Sequence, residues 1–226
     1  IQAMAVLKKA GAAANNKLGK LDERKLKIIS QVCDEILQGK LDDNFPLSVW
    51  QTGSGTQTNM NVNEVIALRG NMLAGEKLLH PNDDVNMSQS SNDTFPSAMH
   101  IAGVSEVQNT LLPAIKELEE TFSNLEVTYK GFIKTARTHL QDAVPIDFAQ
   151  EVSGWKIMLE KNIEYITMSL DSMRELALGG TAVGTGLNAP GEFGKIAAQE
   201  ISLITGLRFI TAPNKFHSLS SRDAMV

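Results

Sequence analysis

The chain has 226 residues, with Lys+Arg 21 against Asp+Glu 26, a formal net charge of −5 and 42% hydrophobic residues. That is enough apolar material for a core, and the acidic balance argues against nucleic acid or an anionic membrane surface as a partner. The single cysteine excludes an internal disulfide, and no apolar run reaches membrane-spanning length.

Aromatic residues make up only 5% and Met numbers 9, a composition that leans helical. The opening Ile1-Gln2-Ala3 carries neither an initiator Met nor a leader pattern, so a fragment cut at both ends is expected. In chain order, Asp22 is a candidate N-cap for a helix carrying Leu26, Ile29, Val32, Cys33, Ile36 and Leu37 and ended by Gly39. Cys33 lies on that helix's apolar face and reads as a small buried hydrophobe. A helix is expected from near Thr56 to about Met72, with Gly70 weakening its last turn. Another should begin near Thr94, with Pro96 in its first turn and Pro113 interrupting it before a continuation to about Leu125. Gly131 to Thr138 is the one stretch that reads as a strand.

The strongest period belongs to Phe148, Val152, Trp155, Leu159, Ile163, Ile166, Leu170, Met173 and Ala177, which recur every 3.6 residues or so, the α-helical step. Such a rod would be about 45 Å long, more than a small domain can cover. It therefore predicts an extended bundle with other rods or other subunits. A last long helix is expected after Gly191, and Pro213-Asn214 marks a turn. No internal repeat, low-complexity tract or linker interrupts the chain, which reads as mainly α.

Polar turn-forming residues gather in three loops, each ahead of a helix. The first is Thr52-Gly53-Ser54-Gly55-Thr56-Gln57-Thr58-Asn59, small hydroxyls and glycines beside free helix N–H groups, an arrangement that attracts anions. Asn recurs at 59, 61 and 63, although Asn is a poor helix former and needs another reason to be there. The second holds His80-Pro81-Asn82-Asp83, an Asx-type turn, and Ser90-Ser91-Asn92, only one of which can cap the following helix. The third, Arg137-Thr138-His139-Leu140-Gln141-Asp142, places a histidine in a polar loop, the better position for acid–base work. His100 falls within a helix and reads as a structurally satisfied histidine, and His217 receives no role.

No His-Glu-x-x-His, cysteine pair or Asp-rich calcium loop is present. The stretch Gly179-Gly180-Thr181-Ala182-Val183-Gly184-Thr185-Gly186 lacks a phosphate-loop ending and follows a helix rather than a strand. It reads as a turn where backbones approach closely. The residues by themselves point to a helical protein that holds a small anion with neutral donors, leaving open whether it is an enzyme.

Five segments, Ser54 to Asn61, His80 to Asp83, Ser88 to Asp93, Thr138 to Asp142 and Gly180 to Asn188, resemble class II fumarase in that family's order. The resemblance covers essentially the whole chain. It implies the mainly α, long-helix bundle of the fumarase/aspartase superfamily, with a smaller helical N-terminal lobe at 1–92 and a central bundle domain at 93–226. It further implies a homotetramer with sites shared between chains, a small dicarboxylate substrate (fumarate or malate) and no cofactor. By resemblance Ser54, Gly55, Thr56, Ser90, Ser91, Asn92 and Thr138 bind substrate, and His139 is catalytic. His80, Pro81, Asn82 and Asp83 resemble the family's second anion site.

The family's mobile loop, which supplies the serine thought to take the carbon-bound proton, has no match here, so the fragment alone is expected to be inactive. Met87 stands where the family usually has Lys, and Ala136 where it has Gly. Aspartate ammonia-lyase is the nearest alternative, although Thr138-His139 favours fumarase, and a non-catalytic scaffold of the same fold is another. The complete protein is expected in the cytoplasm, with the mitochondrion the other option.

Overall fold

A computed structural model describes residues 1–226. It resolves into two compact units, one formed by residues 1–104 and 172–226, the other by 105–171. The lobe boundary expected at 92/93 falls inside the first unit, within the opening turn of a helix.

The first unit is built on α1 (Gln2–Lys17), which packs against α2 (Glu23–Leu37) and α7 (Phe193–Thr205). The sequence reading does not anticipate α1, for a physical reason. Met4, Ala5, Leu7, Ala10 and Ala14 are buried, but so are Lys8 and Asn15, and these two polar residues on the buried face break the apolar period. The α2 helix is as expected: the Asp22 carboxylate accepts from Lys25 N at 2.9 Å, Ile29, Val32, Cys33 and Ile36 are buried, and Gly39 closes the end at φ 70°.

The α3 helix runs Thr56–Ala74 and packs on α2. Gly70 has a packing purpose, since a Cβ there would sit 2.5 Å from Leu79 Cδ1 and 2.9 Å from Ile28 Cγ2. A π-turn at Pro81–Val85 follows, then α4 (Ser91–Glu106), which starts three residues earlier than the proline suggested. The short strands β3 (Glu175–Leu176) and β4 (Ile210–Thr211) pair in parallel, and Asn214 caps α8 (Lys215–Ser220). Lys215 Nζ donates to Leu176 O, Leu178 O and Thr211 Oγ1 at 2.6–2.8 Å, knitting this end together. The final long helix expected after Gly191 is the 13-residue α7, ended by Gly206 at φ 71°.

In the second unit a π-turn at Val107–Leu111 precedes α5 (Leu112–Thr128), so the interruption lies just ahead of Pro113. The hairpin β1 (Ile133–Thr138) and β2 (Gln141–Asp147) comes next, with α6 (Phe148–Met173) after it. The expected rod is real, 26 residues long, and stops at Met173 rather than Ala177. Phe122 and Trp155 meet with ring centroids 5.9 Å apart and planes tilted by 51°, and Lys156 pairs with Glu126 at 2.6 Å, joining α5 to α6. Val152, Leu170 and Met173 are buried at the two ends of α6, whereas Ile157, Met158, Tyr165 and Met168 along its middle are exposed.

Candidate active site

The site begins at the first turn of α4. Ser90 is its cap: the hydroxyl accepts from Asn92 N at 3.2 Å, and Asp93 Oδ1 accepts from Ser90 N at 2.9 Å, a reciprocal capping box. The other Asp93 oxygen accepts from Gly179 N at 3.0 Å and Thr181 N at 2.8 Å. A single buried carboxylate thus fastens the start of α4 to the glycine-rich turn. Gly179 sits at φ 96°, and a Cβ there would lie 2.8 Å from Gly194 Cα, so this turn is indeed a close backbone approach. Burial pushes the Asp93 carboxyl up to about 6, against the backbone N–H groups and the charge of Lys8, which pull it down.

The first polar loop arrives beside it. Gly55 is the left-handed cap of α3 at φ 70°, and no side chain caps that end. Phe95 of α4 lies so close over Gly55 that a Cβ would meet its ring at 2.0 Å. Thr52, Ser54 and Thr56 present an exposed run of hydroxyls spaced 3.2 and 3.4 Å apart. Inside, Asn59 Nδ2 donates to Ser91 Oγ at 3.0 Å, and Thr94 Oγ1 donates to Asn59 Oδ1 at 3.1 Å. The early turns of α3 and α4 therefore meet through buried polar contacts, which supplies the reason for Asn59.

Ser90 and Ser91 open on a cleft of about 440 Å³ whose opposite wall is the glycine-rich stretch from Thr181 to Asn188. Asn82, Asn86 and Gln89 also line it, and no charged side chain does. Asn92 does not itself line the cleft but spans to its opposite wall, donating to Ala182 O at 2.8 Å. His80 caps the π-turn: its Nδ1 accepts from Asp83 N at 3.2 Å and lies 3.2 Å from the Asp83 carboxylate. Its backbone N–H donates to Asp84, which pairs with Lys25 at 2.7 Å. Of the expected second anion site, His80, Asn82 and Asp83 are exposed, Pro81 is half-buried, and Asn82 alone faces the cleft.

Thr138 and His139 lie in the second unit and are not in a simple loop. The expected loop is the tip of the β1–β2 hairpin, with Thr138 paired to Gln141 and a two-residue turn formed by His139 at φ 50° and Leu140 at φ 61°. Such a turn favours Asn-Gly, so a bulky Leu there carries left-handed strain of about 1–2 kcal/mol. Both tip residues are exposed. His100 meets its structural expectation, with Nδ1 3.0 Å from Glu175 O.

Lys8 and Asn86 carry no functional mark in the sequence, and Gln89 and Asp93 stand out only as members of the segment Ser88 to Asp93, without a role of their own. Lys8 is fully buried, and its Nζ donates to Asn86 Oδ1 and Gln89 Oε1, each at 2.9 Å. Burial pulls its ammonium down to about 7, partly offset by Asp93. The only signal in the sequence was a Lys-Lys pair inside an Ala-rich apolar run.

Residues 1–226 match the family model described as lyase. The chain belongs to this lyase family. Among curated relatives it is 56% identical over 230 residues to "Fumarate hydratase class II" of Bacillus anthracis, covering 100% of this chain and 50% of that protein. It is 54% identical over 227 residues to the protein of the same name from Bacillus subtilis (strain 168), covering 99% and 49%. The chain thus spans about half the length of these relatives. Among solved structures, the recombinant class II fumarase from Schistosoma mansoni superposes with a TM-score of 0.96 at 38% identity, over 99% of this chain and 51% of that one.

Proposed function

We propose that this chain is part of a class II fumarate hydratase that interconverts fumarate and (S)-malate. The observation that carries the reading is the meeting of the first turns of α3 and α4 beside an uncharged cleft furnished with hydroxyls and amides.

Removing the proton from the carbon next to a carboxylate leaves two electrons that must spread into that carboxylate as an aci-type dianion. Neutral donors and helix N-termini aimed at the developing charge stabilise that state more than they stabilise malate, and each is worth about 10²–10³ in kcat. We assign Ser54, Gly55, Thr56, Ser90, Ser91, Asn92 and Thr138 to holding the dicarboxylate. His139 receives the proton when water adds and returns it to the departing hydroxyl in the reverse direction. His80, Pro81, Asn82 and Asp83 form a second, weaker anion site.

Assembly into a homotetramer with shared sites is part of the same reading. What supports it is the uncovered apolar surface of α6, from Ile157 to Met168. The fully buried Cys33 thiol suits a reducing cytoplasm, which cell fractionation tests.

A direct test joins residues 1–226 to the rest of the Bacillus subtilis relative, in place of its matching half. Loss of fumarate's ultraviolet absorbance on addition to this chimera supports the assignment, whereas residues 1–226 alone are expected to show no turnover. Release of ammonia from aspartate without hydration of fumarate would overturn it in favour of an aspartate ammonia-lyase.

A further inference from the structure

We infer that Lys8, remote from the substrate itself, is a positioning residue that fixes the direction in which Ser91 donates its hydrogen bond. The inference rests on the proposed substrate site and deepens it.

An amine donates whether charged or neutral, and both acceptors around Lys8 Nζ are side-chain amide oxygens. The amide nitrogens of those partners are already committed. Asn86 Nδ2 donates to Gln89 O at 3.3 Å, and Gln89 Nε2 donates to Met87 O at 3.0 Å and Val85 O at 3.2 Å. Lys8 thereby holds the Asn86 oxygen in place. Asn59 Nδ2 reaches that same oxygen at 3.3 Å, so a flipped Asn59 would set oxygen against oxygen. At the other end, Thr94 Oγ1 donates to Asn59 Oδ1 at 3.1 Å, with Ser91 O at 3.4 Å as the other acceptor for its one proton, so this hydroxyl is compatible with the orientation that the Asn86 oxygen imposes.

Asn59 is consequently locked with its nitrogen toward Ser91 Oγ. The serine oxygen must accept from inside, and its own proton is left to point into the cleft. A hydroxyl free to rotate would present a lone pair to an anion part of the time. This one is set as a donor before any carboxylate arrives, which lowers the reorganisation needed on binding. The inner links Asn59, Thr94 and Lys8 are buried, while Asn86, Gln89 and Ser91 are half-buried at the cleft wall.

The test is a double-mutant cycle in the chimera, reading KM for malate and kcat separately. Ser91→Ala should raise KM on the order of tenfold, the loss of one hydrogen bond to a charged group. Lys8→Met should raise KM several-fold with kcat changed less, and should add nothing once Ser91 is already Ala. Asn86→Ala, at a half-buried position, carries the same expectation if Lys8→Met does not fold. Multiplicative effects of Lys8→Met and Ser91→Ala, or an unchanged KM in Lys8→Met beside a raised KM in Ser91→Ala, would overturn the relay alone. An unchanged KM in Ser91→Ala would overturn the substrate reading beneath it.

Discussion

The two compact units treat polarity in opposite ways. The first buries it: Lys8, Asn59, Asp93 and Thr94 are sealed in a network whose orientations are set by backbone amides and one amine. The second leaves its polar tip in solvent, with His139 on an exposed hairpin turn, and leaves apolar side chains bare as well, with Ile157, Met158, Tyr165 and Met168 uncovered along α6. The contrast separates a polar network completed within one unit from surfaces whose partners lie in the assembly we propose. It also teaches where to expect functional and structural losses to part company.

The sharpest way to break that contrast is His139→Asn in the chimera. Asn tolerates the left-handed turn at least as well as His, so the hairpin should keep its shape. We expect kcat to fall about a thousandfold, the scale of one general acid–base group, with KM less affected. Unchanged turnover in the absorbance assay would remove His139 from the mechanism.

A change of pH examines the other unit. Lys8 is pulled down to about 7 and Lys215 to about 8, both by burial, from an ordinary 10.5. Between these values and 10.5 the unfolded chain binds more protons than the folded one, so stability rises with pH. The Asp93 carboxyl, raised to about 6, works in the opposite sense, removing stability as pH climbs toward 6, and is spent by pH 7. The urea midpoint of residues 1–226 should therefore increase from pH 7 to pH 9, with the fully buried Lys8 contributing about 2 kcal/mol. Lys8→Met should flatten much of that rise, and an equally steep rise in the variant would contradict the burial of this amine.

The smallest effect belongs to the hairpin itself. Leu140 occupies a left-handed position with its side chain in solvent, so Leu140→Gly removes strain and loses no core contact. It should stabilise the chain by about 1 kcal/mol in the same urea titration. A loss of stability would show that Leu140 packs against something in the folded state.

How much of this could be read from the sequence depended on whether the signal was local. The ends of α2 were legible because Asp22 and Gly39 act within a turn of their own helix. The polar loops were legible because helix N-termini announce themselves by composition. The α1 helix was not, since Lys8 and Asn15 interrupt its buried face, and the strand β2 was not, since Pro145 and the missing Asn-Gly hid a hairpin. Lys8 escaped notice for the same kind of reason: its partners Asn86 and Gln89 lie 78 and 81 residues away, and nothing local marks the encounter.

Cys33 gives the first unit a built-in stopwatch. The only thiol in the chain is wholly enclosed on α2, and enclosure drives its pKa up to about 12, so alkylating reagents can reach it only when this packing opens. The pace of its labelling therefore reports how often that interior breathes, with no second sulfhydryl to blur the record.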